Sequence, residues 1–122
     1  MEQEYIKGDI VVYDNGIHTI MDTLVLNNYE LSYISHPVHQ LELSGVPLTT
    51  EILEKNGWKN DGYDWYRLTT KRAYLYITKD ITTLDEFLVC VGLDRHNLAS
   101  VNFVHQLQHL LFGLNINSEM EA

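Results

Sequence analysis

One cysteine, Cys90, stands in 122 residues, so no disulfide can close within the chain and a reducing cytoplasm is its simplest setting. No stretch reaches the about 18 apolar residues that a membrane-spanning helix needs. The opening MEQEYIKGD lacks the basic and apolar regions of a secretory signal. Positive charge is scarce: 8 Lys and Arg face 17 Asp and Glu, a net charge of −9, which repels phosphate backbones unless basic groups cluster. One long stretch lacks charge of either sign, since nothing between Arg95 and Glu119 is charged at neutral pH when the histidines are neutral. Catalytic signatures are missing as well. GVPLTT and NDGYD have neither the glycine spacing nor the lysine of a phosphate loop, and no serine lies in a nucleophile elbow. Cys90 sits in FLVCVGL, where a thiol behaves as a small buried hydrophobe rather than a nucleophile. These absences point to a non-catalytic cytoplasmic protein without membrane segment or cofactor.

A hydrophobic fraction of 45% with 20% charged residues is ordinary for a folded globular chain, and the length suits a single domain with one modest core. Eight tyrosines against three phenylalanines suit half-buried sheet faces, where the ring packs and the hydroxyl stays wet. The segment GDIVVYDNGIHTIMDTLVL predicts a β-hairpin turning at Asn15-Gly16, with strands over 10–13 and 17–25. A third extended segment is expected around 30–34, continued by HPVHQLELS, and such twisted strands are compatible with a small open barrel. In SGVPLTTEILEKNGW, Thr49 caps a short helix, Glu51 complements its dipole, Leu48 and Leu53 form a hydrophobic staple and Gly57 ends it. A tight turn at Asp61-Gly62 would set Trp58 opposite Trp65. DWYRLTTKRAYLYIT then reads as two strands joined near Thr70-Lys71, and EFLVCVGL as a central strand. The fold class predicted is α+β over residues 1–122: an N-terminal β-hairpin or small barrel, a short middle helix, an antiparallel sheet and a C-terminal helix packed on it.

That last helix, VNFVHQLQHLLFGLNINS, is predicted over residues 101–118 with Ser100 or Asn97 as its cap. At 100° per residue, Phe103, Val104, Leu107, Leu110, Leu111 and Leu114 fall within an arc of about 120°, a core-facing stripe. Asn102, His105, Gln106 and His109 lie on the opposite side. A solvated face would carry Glu and Lys, whereas neutral amides and imidazoles lose less when desolvated. Both faces of the helix are therefore expected to be covered. The second cover is the chain's own N-terminal segment, a second copy or another protein, and those four residues are the protein-contact candidates.

His105 and His109, four apart, stack on one helix face and could reach one zinc ion, with His36 and His39 of HPVH as further ligands. HQLQH lacks the glutamate of a metalloprotease helix, and no acidic or cysteine ligand lies nearby in the helix, so no metal site is expected. A two-residue turn at Thr70-Lys71 would pair Leu68 with Ala73 and Tyr66 with Leu75. The other face then collects Trp65, Arg67, Arg72, Tyr74 and Tyr76, aromatics beside arginines on which single-stranded nucleic acid can stack. Such residues also pair well across any sheet, and the net charge of −9 disfavours a phosphate partner. Protein binding, with a homodimer among its forms, is the leading expectation and single-stranded nucleic-acid binding the alternative.

GVPLTTEILEKNGW followed by FVHQLQHLLFGL resembles a family of small uncharacterised proteins encoded by gut anaerobic bacteria and their phages and prophages. The family pattern is a middle Pro-Leu-Thr, Glu-Ile-Leu and Gly-aromatic segment, here residues 47–58, and a C-terminal Val-His-Gln-Leu-Gln helix, here residues 104–111. GDIVVY is a looser match near the start. The resemblance implies no particular activity, and its setting in mobile elements implies an accessory binding role. Asparagine is usual where this chain has His109, a departure that weakens the zinc pair and leaves His105 and Gln106 as matched positions.

Overall fold

A computed structural model describes residues 5–20, 25–27, 30–33, 36–39, 43–62, 65–71, 74–79, 86–92, 94 and 96–122, with the segments at 25–39 described by backbone alone. Arg72 and Ala73, and the side chains of His36 and His39, lie outside that description.

The chain forms eleven strands and two helices among the described residues, an α+β fold of open antiparallel sheets. β1 (Ile10–Tyr13) pairs with β2 (Gly16–Thr19) on one side and with β6 (Ser44–Gly45) on the other. β3 (Val25–Asn27), β4 (Glu30–Tyr33) and β5 (His36–His39) make a second three-stranded sheet. The third has five strands: β7 (Lys59–Asn60), β8 (Trp65–Thr69), β9 (Tyr74–Lys79), β10 (Phe87–Val91) and β11 (His96–Val101), in the order β11-β10-β9-β8-β7. Each described sheet is open, so the hairpin forms and no closed barrel is present among the described residues. No helix among the described residues is long and apolar enough to cross a membrane.

The first hairpin turns one residue earlier than expected. Tyr13 pairs with Gly16, and Asp14 and Asn15 take positive φ angles of 51° and 62°. Both residue types enter the left-handed region at low cost, and two consecutive positive φ angles make the type I′ turn that suits strand twist. The β8–β9 connection is longer than two residues. Leu68 pairs with Leu75 and Tyr66 with Ile77, a slip of two that keeps every side chain on its expected face because strand periodicity is two. Trp58 does not oppose Trp65. Asn60 pairs with Tyr66, so Trp58 enters the core at 2% exposure while Trp65 lies on the sheet's other face.

α1 (Thr50–Lys55) forms as its signals require. The Thr49 hydroxyl accepts from Ile52 N–H at 3.2 Å, Leu48 and Leu53 are buried, and Gly57 takes φ +91°. α2 spans Val104–Gly113, shorter than expected at both ends: residues 96–101 form β11, so Phe103 rather than Ser100 or Asn97 is the N-cap, and Leu114 caps the helix before Asn115 turns to φ +60°. HNLAS carries no strong strand former, and pairing with β10 overrides its local preference. Phe103 has no side-chain acceptor, so only the returning half of a capping box forms: Gln106 Oε1 accepts from Phe103 N–H at 3.2 Å and Asn102 N–H at 2.7 Å.

Val104, Leu107 and Leu111 of α2 pack with Leu75, Ile77, Phe87 and Val89 of the five-stranded sheet, and with Leu53 and Trp58. Burying each such aliphatic side chain stabilises the fold by about 1.5–3 kcal/mol. Residues 46–48 and 102–104 meet here. Val104 N–H donates to Val46 O, Leu48 N–H donates to Asn102 O, and Pro47 bridges to Phe103. A smaller core of Tyr5, Val11, Ile20 and Leu43 lies under the N-terminal hairpin.

Candidate protein-contact site

The second face of the charge-free helix is covered by residues 5–10 of its own chain. Ile6, Lys7, Gly8 and Asp9 form a tight turn, closed by Asp9 N–H donating to Ile6 O at 3.0 Å with Gly8 at φ +96°, a conformation that favours glycine. The turn carries the Asp9 carboxylate onto α2, where it is 1% exposed. A carboxylate so buried needs partners. It has them: Ile6 N–H donates to Oδ2 at 2.9 Å, and His109 Nε2 lies 2.8 and 3.0 Å from the two carboxylate oxygens.

Gln108 completes the attachment. Its Oε1 accepts from Ile10 N–H at 3.0 Å, while Nε2 donates to Gly8 O at 2.9 Å and Ser118 O at 3.2 Å. One neutral amide thus ties the N-terminal segment, α2 and the C-terminal segment together. Helical periodicity sets Gln108 at the edge of the second face, and nothing local marks it as more important than Gln106.

The four residues expected to meet a partner divide by depth. His105 is buried at 3% exposure, stacked on Phe103 with 5.8 Å between centroids and tilted against Tyr5 at 5.1 Å. Burial pushes its pKa below the usual imidazole range, with Asp9 raising it and His109 lowering it to lesser degrees, and its Nδ1 has no hydrogen-bond partner. Gln106 caps the helix and Asn102 pairs its carbonyl with Leu48, so both serve the α2 N-terminus. His109 reaches a surface cleft, with its side chain 35% exposed. The His105 and His109 rings meet edge to face at 5.8 Å. His109 turns its Nε2 to Asp9, and the described residues include no group of three or more metal-ligating side chains.

The cleft beside His109 has a volume of about 270 Å³ and is lined by Ile6, Gly8, Asp9, Gln108, His109 and Phe112, with Lys7 and Glu119 among its other walls. That is below the roughly 300–1,000 Å³ of small-molecule sites. Phe112 is 68% exposed and Ile6 40%. An aromatic and an aliphatic side chain therefore stand in water beside a floor built from a buried carboxyl group in contact with His109 and an amide. A larger groove of about 560 Å³ lies across the C-terminal segment, over Trp58, Leu111, Ile116 and Met120. Asn56 holds that segment with two 2.7 Å bonds, accepting from Glu121 N–H and donating to its carbonyl.

On the five-stranded sheet, Trp65, Arg67, Tyr74 and Tyr76 do share one face. Tyr76 is buried at 3% exposure, with its ring edge to face with Trp65. Arg67 lies over Tyr74 at 5.9 Å and within 3.9 Å of Asp61. The patch thus presents fewer open ring faces than the sequence pattern suggests. Cys90 is buried on that face at 1% exposure and donates to Asn97 Oδ1 at 3.1 Å.

No protein-family model, no curated protein and no solved structure matches the chain.

Proposed function

We propose that this protein is a non-catalytic binding domain whose contact surface is the cleft between residues 6–9 and α2. The observation that carries the reading is Phe112, 68% exposed on α2 and lining the same cleft as exposed Ile6. Aromatic anchors beside a concave, partly desolvated floor are the composition of interface hot spots. The Asp9–His109 pair supports binding better than chemistry. Among the described residues no hydroxyl or thiol is hydrogen-bonded to the His109 ring, as the nucleophile of such a pair would be. Its observed work is to hold the N-terminal segment and shape the cleft floor. The family resemblance, with its mobile-element setting, agrees with an accessory role.

Site-specific photocrosslinking in producing cells tests this. A photoreactive phenylalanine analogue at position 112 should give a discrete crosslinked protein species, and the same analogue at Tyr74 should give none. Equal background at both positions would overturn the assignment.

A further inference from the structure

Building on that contact surface, we propose that its partner is a second copy of this chain, arranged about a two-fold axis so that Phe112 of each copy fills the other's cleft. A two-fold contact requires a patch complementary to itself, and this patch carries both a projecting ring and a hollow, with a charge of each sign. A projecting ring stands directly beside a hollow: Phe112 and Ile6 wall the same cleft of about 270 Å³. The cleft walls also carry one exposed charge of each sign, Lys7 and Glu119. Neither is ion-paired within the chain among the described residues. Reversal about a two-fold axis sets Lys7 of each copy towards the Glu119 of the other, two pairs from one of each.

Net charge is the chief obstacle to self-association, because two chains of −9 repel one another. α2 is where that obstacle is least, since Val104–Gly113 carries no Asp, Glu, Lys or Arg. Gly113, exposed next to Phe112, has nothing within 4 Å of where a Cβ would stand, which leaves room for a second helix to approach. A second uncharged edge among the described residues is guarded. β11 is the outer strand of its sheet, yet its register shifts at Leu98, and a bulge in an edge strand discourages edge-to-edge pairing.

Native mass spectrometry and sedimentation on the full chain test the proposal. The expected result is a species of twice the 14.2 kDa chain mass. Phe112→Asp should weaken it at least about 30-fold, the loss of one hot-spot residue, without changing the circular dichroism spectrum, because Phe112 is 68% exposed and belongs to neither core cluster. Lys7→Glu and Glu119→Lys should each weaken the dimer about two- to tenfold, and the double variant Lys7→Glu with Glu119→Lys should restore it. A monomer at tens of micromolar, a dimer indifferent to Phe112→Asp, or a failed charge-swap rescue would overturn the proposal. The position 112 crosslink separates the two readings. A different protein captured there by a monomeric chain removes the dimer and leaves the contact surface standing, whereas no capture at all removes both.

Discussion

His105 shows how one residue type takes its role from its surroundings. Its ring is closed in by Tyr5, Phe103 and His109, and Cε1 presses on Gly45 from β6. Burial holds the folded-state pKa below the usual value, which is about 6.5 in an unfolded chain. The unfolded chain therefore binds more protons between those two values. The contribution of His105 to stability is complete above about pH 6.5 and is lost as pH falls through the window down to the folded value. Asp9 and His109 face the same ring and Tyr5 covers it, so the measurement must isolate one group. Denaturant unfolding of the parent and of His105→Phe, compared from pH 7.5 to 5, should show a steeper acid loss in the parent. Parallel curves would exclude His105 as the source.

At the scale of elements, α2 is held by contacts that its own sequence does not contain. Its inner stripe meets the five-stranded sheet as hydrophobic periodicity requires, with Val104, Leu107 and Leu111 buried. Its outer side is organised by a turn nearly a hundred residues earlier, through Asp9, Gly8 and Ile10. Gly45 sets the distance between β6 and the start of α2. A Cβ there would lie 2.6 Å from Phe103 Cγ and 2.9 Å from His105 Cε1, closer than packed atoms allow. Gly45→Ala should therefore destabilise the fold by about 1–3 kcal/mol, the usual range for overpacking, read from the denaturant midpoint. An unchanged midpoint would mean that the α2 N-terminus shifts freely.

For the molecule as a whole, a dimer that forms only from folded chains adds to apparent stability by mass action. The thermal midpoint of the parent chain should then rise with protein concentration, while that of Phe112→Asp should not. A parent midpoint constant over a hundredfold range of concentration would argue against folded-state association. The same view explains the weak case for nucleic acid. Net charge of −9 acts at long range, and Arg67, one of the cations on that sheet, is already engaged by Asp61 and Tyr74.

By itself the sequence determined what short-range physics determines. The α1 cap at Thr49, its end at Gly57, the strand over EFLVCVGL and the inner stripe of α2 follow from side-chain chemistry and periodicity acting over a few residues. The face assignment on β8 and β9 survived an error in loop length, because a slip of two residues preserves the pleat. Turn position, register and partner choice were decided by tertiary structure. HNLAS became a strand through pairing with β10, and the first hairpin turned at Asp14-Asn15 rather than one residue later. The missing charge over residues 96–118 was legible as a sign of cover. Which chain supplied that cover was not, because nothing in Asp9 or Gln108 announces a partner a hundred residues away. The structure answers with the N-terminal segment, and it leaves Phe112 68% exposed beside that cover.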